Sequence, residues 1–275
     1  MSFTDIIILI EGGLMTIKTL YFSPTGTTKK IVETISKTLG VVENNYNITL
    51  PKHRDILPSF DKEDLLVVGI PVYAGRIPRL IIDQLTNIKG NETPIVLVAV
   101  YGNRDYDDAL LEMKDVFVQN GFMPIAAGAF IGEHSYTSEV ASNRPDIEDL
   151  KICKEFAETI KTHLYLGDYK TKELHVKGNF PYREIKPSLP LGPTVDESCI
   201  SCGICTINCP TGALKYNRHI SVIDDLCIRC HACVRKCPFH AIDFEEKLDP
   251  VKNWLIDNFT ERREPELFYL ENSDT

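Results

Sequence analysis

The chain has 275 residues, a length that fits one large domain or two domains of ordinary size. Its 43% hydrophobic and 25% charged residues are typical of a soluble globular protein. The net charge of −9 argues against binding to nucleic acid or to an anionic membrane, because both require a basic surface. No apolar run approaches the roughly 18 residues that span a bilayer.

The first predicted segment is an N-terminal extension, residues 1–15. Its apolar stretch, residues 6–10, is flanked by Asp5 and Glu11 and lacks the basic leader of a signal peptide. Met15 directly precedes a good strand, so we interpret the extension as a start assigned too far upstream or as a loose extra strand. Without an export signal, we expect a cytoplasmic location.

Residues 16–165 alternate between strand and helix patterns. The predicted strands are residues 17–22, 46–50, 65–70, 95–101 and 125–131. The predicted helices are residues 28–39, 79–85, 107–121 and 146–164. Three of the strands are almost continuously apolar, which is typical of strands buried on both faces of a parallel sheet. Five strands that alternate with helices in this way predict an α/β fold with a doubly wound parallel sheet.

The C-terminal part has a different composition. Residues 166–194 are rich in glycine and proline and are predicted to be a linker. A cysteine-rich domain is predicted over residues 195–246. In the last segment, residues 247–275, the apolar spacing predicts a helix over 249–259. We expect its polar tail to be frayed, with one short apolar stretch, residues 267–270, that is able to dock.

Eight of the nine cysteines lie between residues 199 and 237, in a pattern Cys-x2-Cys-x2-Cys-x3-Cys-Pro that repeats after 28 residues. In a reducing compartment such clusters indicate metal binding or catalysis, not disulfides. Three cysteines at this spacing wrap one iron–sulfur cube, and the fourth reaches the other cube. Cluster one is therefore predicted on Cys199, Cys202, Cys205 and Cys237. Cluster two is predicted on Cys227, Cys230, Cys233 and Cys209.

Structural zinc is the alternative for this block. Zinc sites favour two Cys-x2-Cys pairs separated by a longer spacer, which fits the repeated triplets poorly. The ninth cysteine, Cys153, lies on the predicted helix 146–164, and we interpret it as an ordinary buried thiol.

With all eight ligand positions and both following prolines present, residues 195–245 resemble the bacterial two-cluster 4Fe–4S ferredoxins. The resemblance implies a small α+β domain in which short antiparallel hairpins and helical turns surround two clusters. It also implies one-electron transfer at low potential.

A hydroxyl-rich loop follows the first predicted strand and leads directly into a helix. Its candidate binding residues are Ser23, Thr25, Gly26, Thr27 and Thr28. Hydroxyl groups and the free N–H groups of a helix N-terminus bind phosphate well. The glycine patterns of dinucleotide sites and of nucleoside triphosphate sites are absent. Simple helix capping is the alternative for these side chains.

Two further loops follow the third and fourth predicted strands. The first contributes the candidate residues Pro71, Val72, Tyr73, Ala74 and Gly75. The second contributes Tyr101, Gly102, Asn103 and Tyr106. Open α/β sheets bind ligands at the carboxyl ends of their strands, where both loops are expected. Tyrosine faces can hold a flavin ring, although each tyrosine taken alone is better explained as an ordinary surface or core residue.

Taken together, the three loops of residues 16–165 resemble those of flavodoxins. The resemblance implies FMN, with its phosphate on residues 23–28 and its ring between loops 71–76 and 101–106. It places Gly102 and the ring-stacking Tyr106 in the third loop.

The chain departs from flavodoxins in one respect: its single tryptophan, Trp254, is far from these loops in sequence. Residues 132–136 follow the fifth strand at the same edge, and are either a cap on the flavin or substrate or a plain surface loop.

The order of the two domains resembles the flavodoxin–ferredoxin fusion family of anaerobic bacteria and archaea. That resemblance implies an electron-transfer protein that relays electrons between FMN, two 4Fe–4S clusters and redox protein partners, with no catalytic residue assigned. One alternative is a flavin-dependent reductase that passes electrons to a small-molecule acceptor. Another is a scaffold or redox sensor that has lost its flavin.

Overall fold

A computed structural model of the chain describes residues 9–10, 13–55, 58–185 and 190–271. Within the N-terminal extension, Leu9–Ile10 pairs antiparallel with Gly13–Leu14. The rest of that extension, residues 1–8 and 11–12, lies outside the described part, and the interpretation of the start stays a prediction.

Five parallel strands form the centre of the molecule. They are β1 (Thr16–Tyr21), β2 (Val42–Asn47), β3 (Asp64–Pro71), β4 (Thr93–Tyr101) and β5 (Phe122–Ile131). Their order across the sheet is 2-1-3-4-5, which is the flavodoxin-like doubly wound order. Every residue of β4 is buried, as expected for a central strand covered on both faces.

Four helices cover the two faces of this sheet. They are α1 (Thr27–Leu39), α2 (Arg79–Asn87), α3 (Ala109–Gln119) and α4 (Ile147–Leu166). Helices α1 and α4 pack together on one face, and α2 and α3 on the other. Asp146 caps α4 by accepting hydrogen bonds from the N–H groups of Glu148 and Asp149, so the predicted helix start is confirmed.

The predicted position of the second strand was wrong by four residues at its start. Strand β2 begins at Val42 and carries the polar residues 43–45, which are exposed at the edge of the sheet. Because an edge strand pairs on one side only, it shows no continuous apolar run for sequence analysis to detect.

The described part of the predicted linker up to residue 185 packs along the domain surface. It contains a short strand, β6 (Glu173–Leu174), and then returns along α3. There Asp108 accepts hydrogen bonds from the backbone N–H groups of Asn179 at 2.8 Å and Arg183 at 2.6 Å. The Tyr182 hydroxyl donates to Asp115 at 2.5 Å. These bonds make the segment a fixed strap.

The cysteine block is built from two antiparallel strand pairs and two short helices. Strand β7 (Thr194–Val195) pairs with β10 (Ile242–Asp243), and β8 (Leu214–Asn217) pairs with β9 (His219–Val222). The helices are α5 (Ile204–Ile207) and α6 (Ala232–Lys236). Its own buried apolar cluster consists of Leu214, Cys233 and Ile242. So small a core requires help from bound metal or from docking.

The described part of the C-terminal tail, which ends at Glu271, is ordered, contrary to the expectation that the tail would fray, and the expected docking of residues 267–270 is confirmed. Helix α7 (Asp249–Phe259) has the predicted bounds and leads to β11 (Glu266–Glu271). Strand β11 pairs antiparallel with β5, and β6 pairs antiparallel with β11. The main-chain donors and acceptors at the free edge of β5 are satisfied by this addition, and Tyr269 packs on Phe156 with ring centroids 5.6 Å apart.

The cysteine block is therefore inserted between two strands, β6 and β11, of one seven-stranded sheet. Both of its ends are attached to the flavodoxin-like domain through the strap before it and helix α7 after it. Within the described residues, no helix has the length and apolar character needed to cross a membrane.

Candidate functional site

The eight repeated cysteines surround two small cavities. The first is lined by Cys199, Cys202, Cys205 and Cys237. The second is lined by Cys209, Cys227, Cys230 and Cys233. The chain thus crosses between cavities at the fourth cysteine of each repeat, in the grouping that the spacing predicts for two cubes. Among the described residues, no group of three His, Cys, Asp or Glu side chains is arranged to hold a single metal ion.

Backbone N–H groups point at the sulfur atoms of both sets. Ser201 donates to Cys199 Sγ and Arg229 donates to Cys227 Sγ, both at 3.4 Å, from equivalent positions of the repeat. Both donors adopt left-handed backbone conformations, which turns their N–H groups towards the sulfurs. Such bonds stabilise thiolate ligands and tune the potential of a bound cluster.

The two cysteine sets differ in burial. Cys202 of the first set is exposed, whereas Cys230 and Cys233 of the second set are buried. Burial raises the pKa of the Cys230 thiol to about 12. A thiolate at this position would therefore be stabilised by the positive charge of a bound metal, and a set of four cysteine thiolates suits an iron–sulfur cluster chemically.

A larger cavity of about 660 Å³ lies at the carboxyl ends of β1, β3 and β4. Three loops of the flavodoxin-like domain and residues 132–136 form its walls, and its volume is in the range of small-molecule sites. The open end of a doubly wound sheet is where ligands bind in this fold class.

The hydroxyl-rich loop lies at one end of this cavity, at the start of α1. Thr25, Thr27 and Thr28 line the cavity, and the hydroxyl oxygens of Thr25 and Thr27 are 3.4 Å apart. Gly26 occupies the N-cap position with a φ of 94° and offers no side-chain cap, so N–H groups of the first turn stay available for an anion.

Ser23 is placed differently from the other candidates of this loop. Its hydroxyl accepts a hydrogen bond from the Lys29 N–H at 3.0 Å, and its own N–H donates to Thr49 Oγ1 at 2.9 Å. Ser23 is buried and does not line the cavity, so the capping explanation holds for this residue.

The ring loops meet in the middle of the cavity. Its wall includes Pro71, Val72, Tyr73, Ala74, Gly75, Tyr101 and Gly102. A Cβ atom on Gly102 would lie 2.5 Å from Cδ2 of His134, so only glycine allows this close approach of the two loops. Gly75, with a φ of 81°, similarly makes room for the Asp107 carboxylate.

Asn103 and Tyr106 do not reach the cavity, which corrects their predicted roles. Tyr106 is fully buried, and its hydroxyl donates to Glu266 Oε2 at 2.8 Å. Asn103 donates through Nδ2 to the carbonyl oxygens of Phe259 and Glu261 at 2.7 and 2.8 Å. Both side chains hold the C-terminal segment, which covers the third loop and leaves Tyr106 no face for a flavin ring.

Helix α7 supplies the wall that sequence reasoning missed. Its apolar face contributes Val251, Trp254 and Leu255 to the cavity. The one tryptophan therefore lies beside the flavin loops in space, although it is far from them in sequence. The apolar spacing of this helix was visible in the sequence, but the surface that it covers was not.

Residues 132–136 line the cavity and are not a plain surface loop. The His134 ring accepts a hydrogen bond at Nδ1 from the Tyr136 N–H at 3.1 Å, which assigns the proton of the neutral ring to Nε2. Burial, with smaller contributions from Arg235 and Arg104, lowers the pKa of His134 to about 4. At neutral pH this residue is a hydrogen-bond donor without charge.

The cysteine block holds this loop from the other side. Arg235, between two cluster ligands, donates to Glu133 Oε1 at 2.6 Å and to the His134 carbonyl oxygen at 2.8 Å. The Tyr136 ring lies 4.8 Å from the His231 ring, centroid to centroid. Residues 133–136 thus connect the large cavity with the second cysteine set.

Comparisons with known proteins match the cysteine block and the N-terminal half of the chain separately. A family model described as a 4Fe–4S binding domain matches residues 193–215 and 220–243, once per repeat. No curated protein matches the chain.

Similar solved structures cover the N-terminal half. A Streptococcus pneumoniae TIGR4 flavodoxin is 17% identical over 54% of this chain and 98% of its own, with a TM-score of 0.38. A flavodoxin from Archaea is 15% identical over 55% and 99%, with a TM-score of 0.39. A Fusobacterium nucleatum flavodoxin bound to flavin mononucleotide is 17% identical over 55% and 99%, with a TM-score of 0.37. The fold assignment itself depends on the strand order.

Proposed function

For a chain that fuses a flavodoxin-like domain with a 4Fe–4S binding domain, we propose an intramolecular electron relay. In this proposal single electrons pass between external redox proteins, two 4Fe–4S clusters and FMN. Both domain types support a redox role, and the relay is the finer function that joins them. The domain boundaries, the cluster ligands and those sequence-named FMN-binding residues that line the cavity are part of the same proposal.

The lining of the large cavity is the observation that supports the relay most directly. The large cavity is lined on one side by the phosphate and ring loops, and on the other by Cys227 and Cys230. A cofactor in the cavity and a cluster on the second cysteine set would therefore share a wall. Two redox groups separated by so little protein are placed for direct electron exchange.

The residues present fit FMN at this cavity. Thr25, Thr27 and the N-terminus of α1 would hold the phosphate. Tyr73 and Trp254 offer aromatic surface for the ring. FMN supplies chemistry in which one or two electrons are held, which suits exchange with one-electron clusters. The apolar face of α7 excludes water from the ring side, and His134 Nε2 holds a proton for donation.

A flavin-dependent reductase of a small molecule is the second candidate function. Residues 132–136 form part of the cavity wall, as expected for a loop that contacts a substrate beside the ring. The arginines Arg79, Arg104 and Arg183 and the carboxylates Asp105 and Glu133 also line the cavity and offer polar contacts to an acceptor.

Cofactor content tests the relay first. In anaerobically purified protein we expect about eight irons and about eight acid-labile sulfides per chain, with one bound FMN. Iron without any flavin, including after incubation with FMN, would contradict the relay. The flavodoxin-like domain would then be a docking or substrate-binding domain.

Variants of the phosphate loop test the FMN site. Thr25→Ala and Gly26→Val should each weaken FMN binding in a fluorescence titration without changing iron content. Thr38→Ala, at the other end of α1, is the matched control, because its hydroxyl bonds only to the Thr34 carbonyl. Equal losses in Thr25→Ala and Thr38→Ala would indicate a general effect on the helix.

A further inference from the structure

The two cysteine sets have equivalent sequences but different surroundings. Cys227, Ile228, Arg229 and Cys230 of the second set line the large cavity. Their equivalents in the first repeat, residues 199–202, do not line it. The repeat thus presents one of its two ligand loops to the flavodoxin-like domain.

The packing of equivalent isoleucines also places the second cysteine set, and not the first, against the flavodoxin-like domain. Ile228 is partly buried and packs against the main hydrophobic core of the flavodoxin-like domain. Its equivalent Ile200 is 62% exposed and lies over the first cysteine set. The neighbouring ligand Cys202 is itself exposed. The first set therefore lies at the protein surface, on a partly apolar rim.

An aromatic stack joins the cavity to the second set. Tyr136 lines the cavity, and its ring centroid is 4.8 Å from that of His231. His231 stacks in turn on Phe244 at 4.5 Å, and both line the second cysteine cavity. At the equivalent positions the first repeat has Gly203 and the 59% exposed Tyr216. Only the second repeat has buried aromatic contacts of this kind within the described residues.

We propose that the two clusters have a fixed order: the cluster on Cys209, Cys227, Cys230 and Cys233 is adjacent to the flavin, and the cluster on Cys199, Cys202, Cys205 and Cys237 faces external redox proteins. This inference rests on the proposed relay and specifies its sequence of steps. Cys227–Cys230 is the contact towards FMN, and Ile200 with Cys202 is the contact towards a partner.

The electrons balance along this route. A reduced partner protein gives one electron to the surface cluster and is itself oxidised. That electron moves to the inner cluster, which reoxidises the surface cluster, and then to FMN. Two such electrons, with two protons from solvent, convert FMN to its fully reduced form. The reverse order delivers electrons to an oxidised partner.

Hydrogen exchange tests the geometry without changing any ligand. Exchange is measured by mass spectrometry on cluster-loaded, flavin-depleted protein before and after FMN is added. We expect slower exchange at residues 227–230 and unchanged exchange at the equivalent residues 199–202. Slowing at 199–202, or at neither segment while FMN binds, overturns the order. Failure of FMN to bind at all instead overturns the proposed relay.

A matched pair of ligand variants gives a second readout. Cys202→Ser and Cys230→Ser change the same position of each repeat. In partly reduced protein, a nearby reduced cluster speeds the magnetic relaxation of the unpaired spin on the flavin. We expect this enhancement to survive in Cys202→Ser and to be lost in Cys230→Ser. Loss in Cys202→Ser with retained FMN overturns the order, even if the buried-ligand variant does not fold.

Discussion

The two halves of the cysteine repeat share a ligand pattern but not an environment. The first half has an exposed Cys202, and the second has Cys230 buried against the flavodoxin-like domain. Where the first half has Tyr216 in solvent, the second has Phe244 fully buried. Ligand spacing is the same in both halves, whereas only the second half has the stacked His231 and Phe244 rings in place of Gly203 and the exposed Tyr216.

Two repeats with the same ligand pattern can therefore have different roles, because their burial differs. The N–H groups that bond Cys199 and Cys227 are equivalent, so the immediate ligand chemistry is the same in both halves. Burial and solvent access differ, and these set redox potential and partner access. Substitutions at equivalent positions are therefore the natural way to test the comparison.

The largest effect is expected at the aromatic position. Phe244→Ala should lower the free energy of unfolding by about 3 to 5 kcal/mol, because it removes a fully buried ring that stacks on His231. Tyr216→Ala, its equivalent, should change stability by less than about 0.5 kcal/mol. Anaerobic chemical denaturation measures both values. Similar losses in the two variants would show that the halves are equally packed.

A pH effect is expected from His134, which the second half contacts through Arg235. Its pKa falls from the ordinary 6.5 to about 4, mainly through burial and also through Arg235 and Arg104. Below about pH 6.5 the unfolded chain therefore binds a proton that the folded chain does not, and stability falls as pH falls towards 4.

The size of this effect is about 1 to 2 kcal/mol between about pH 7 and pH 5. His134→Gln should be less sensitive by that amount, since it has no proton to gain. Denaturation midpoints of the two proteins across this range provide the measurement. Parallel pH profiles would mean that His134 is solvated in the folded protein.

The smallest effect on stability is expected for the hydrogen bonds that Arg235 donates to the flavodoxin-like domain. Arg235→Ala removes the hydrogen bonds to Glu133 and to the His134 carbonyl, and should cost about 1 kcal/mol because the pair is partly exposed. Ile207, its equivalent in the first repeat, is 71% exposed, so Ile207→Ala serves as the control. FMN titration should show weaker binding only in the Arg235 variant. Unchanged affinity would separate loop 133–136 from the flavin site.

Most helices and strands were predictable from the sequence because their hydrophobic patterns are local. Strands β3, β4 and β5 are long apolar runs, and α1 shows a clear amphipathic period, so their bounds were predicted within a few residues. The edge strand β2 was misplaced, and for β11 the sequence predicted only that residues 267–270 can dock, not that they form a strand. Pairing at a sheet edge depends on a partner strand that is distant in the chain.

The candidate site likewise contains features that the sequence predicts and features that it does not. The grouping of the cysteines follows from their spacing, since a cube of fixed size limits which thiols can reach it. The positions of Trp254 and Tyr106 did not follow from any pattern. One was brought to the cavity by α7, and the other was covered by the C-terminal segment.

The doubly wound domain, the two cysteine sets and the hydroxyl-rich loop were predictable from the sequence alone, because each depends on residues close together in the chain. The insertion of the cysteine block into one sheet between β6 and β11 is visible only once the chain is folded. The same holds for the second set, which faces the large cavity. These features depend on which surfaces bury each other, and burial is a property of contacts between distant segments.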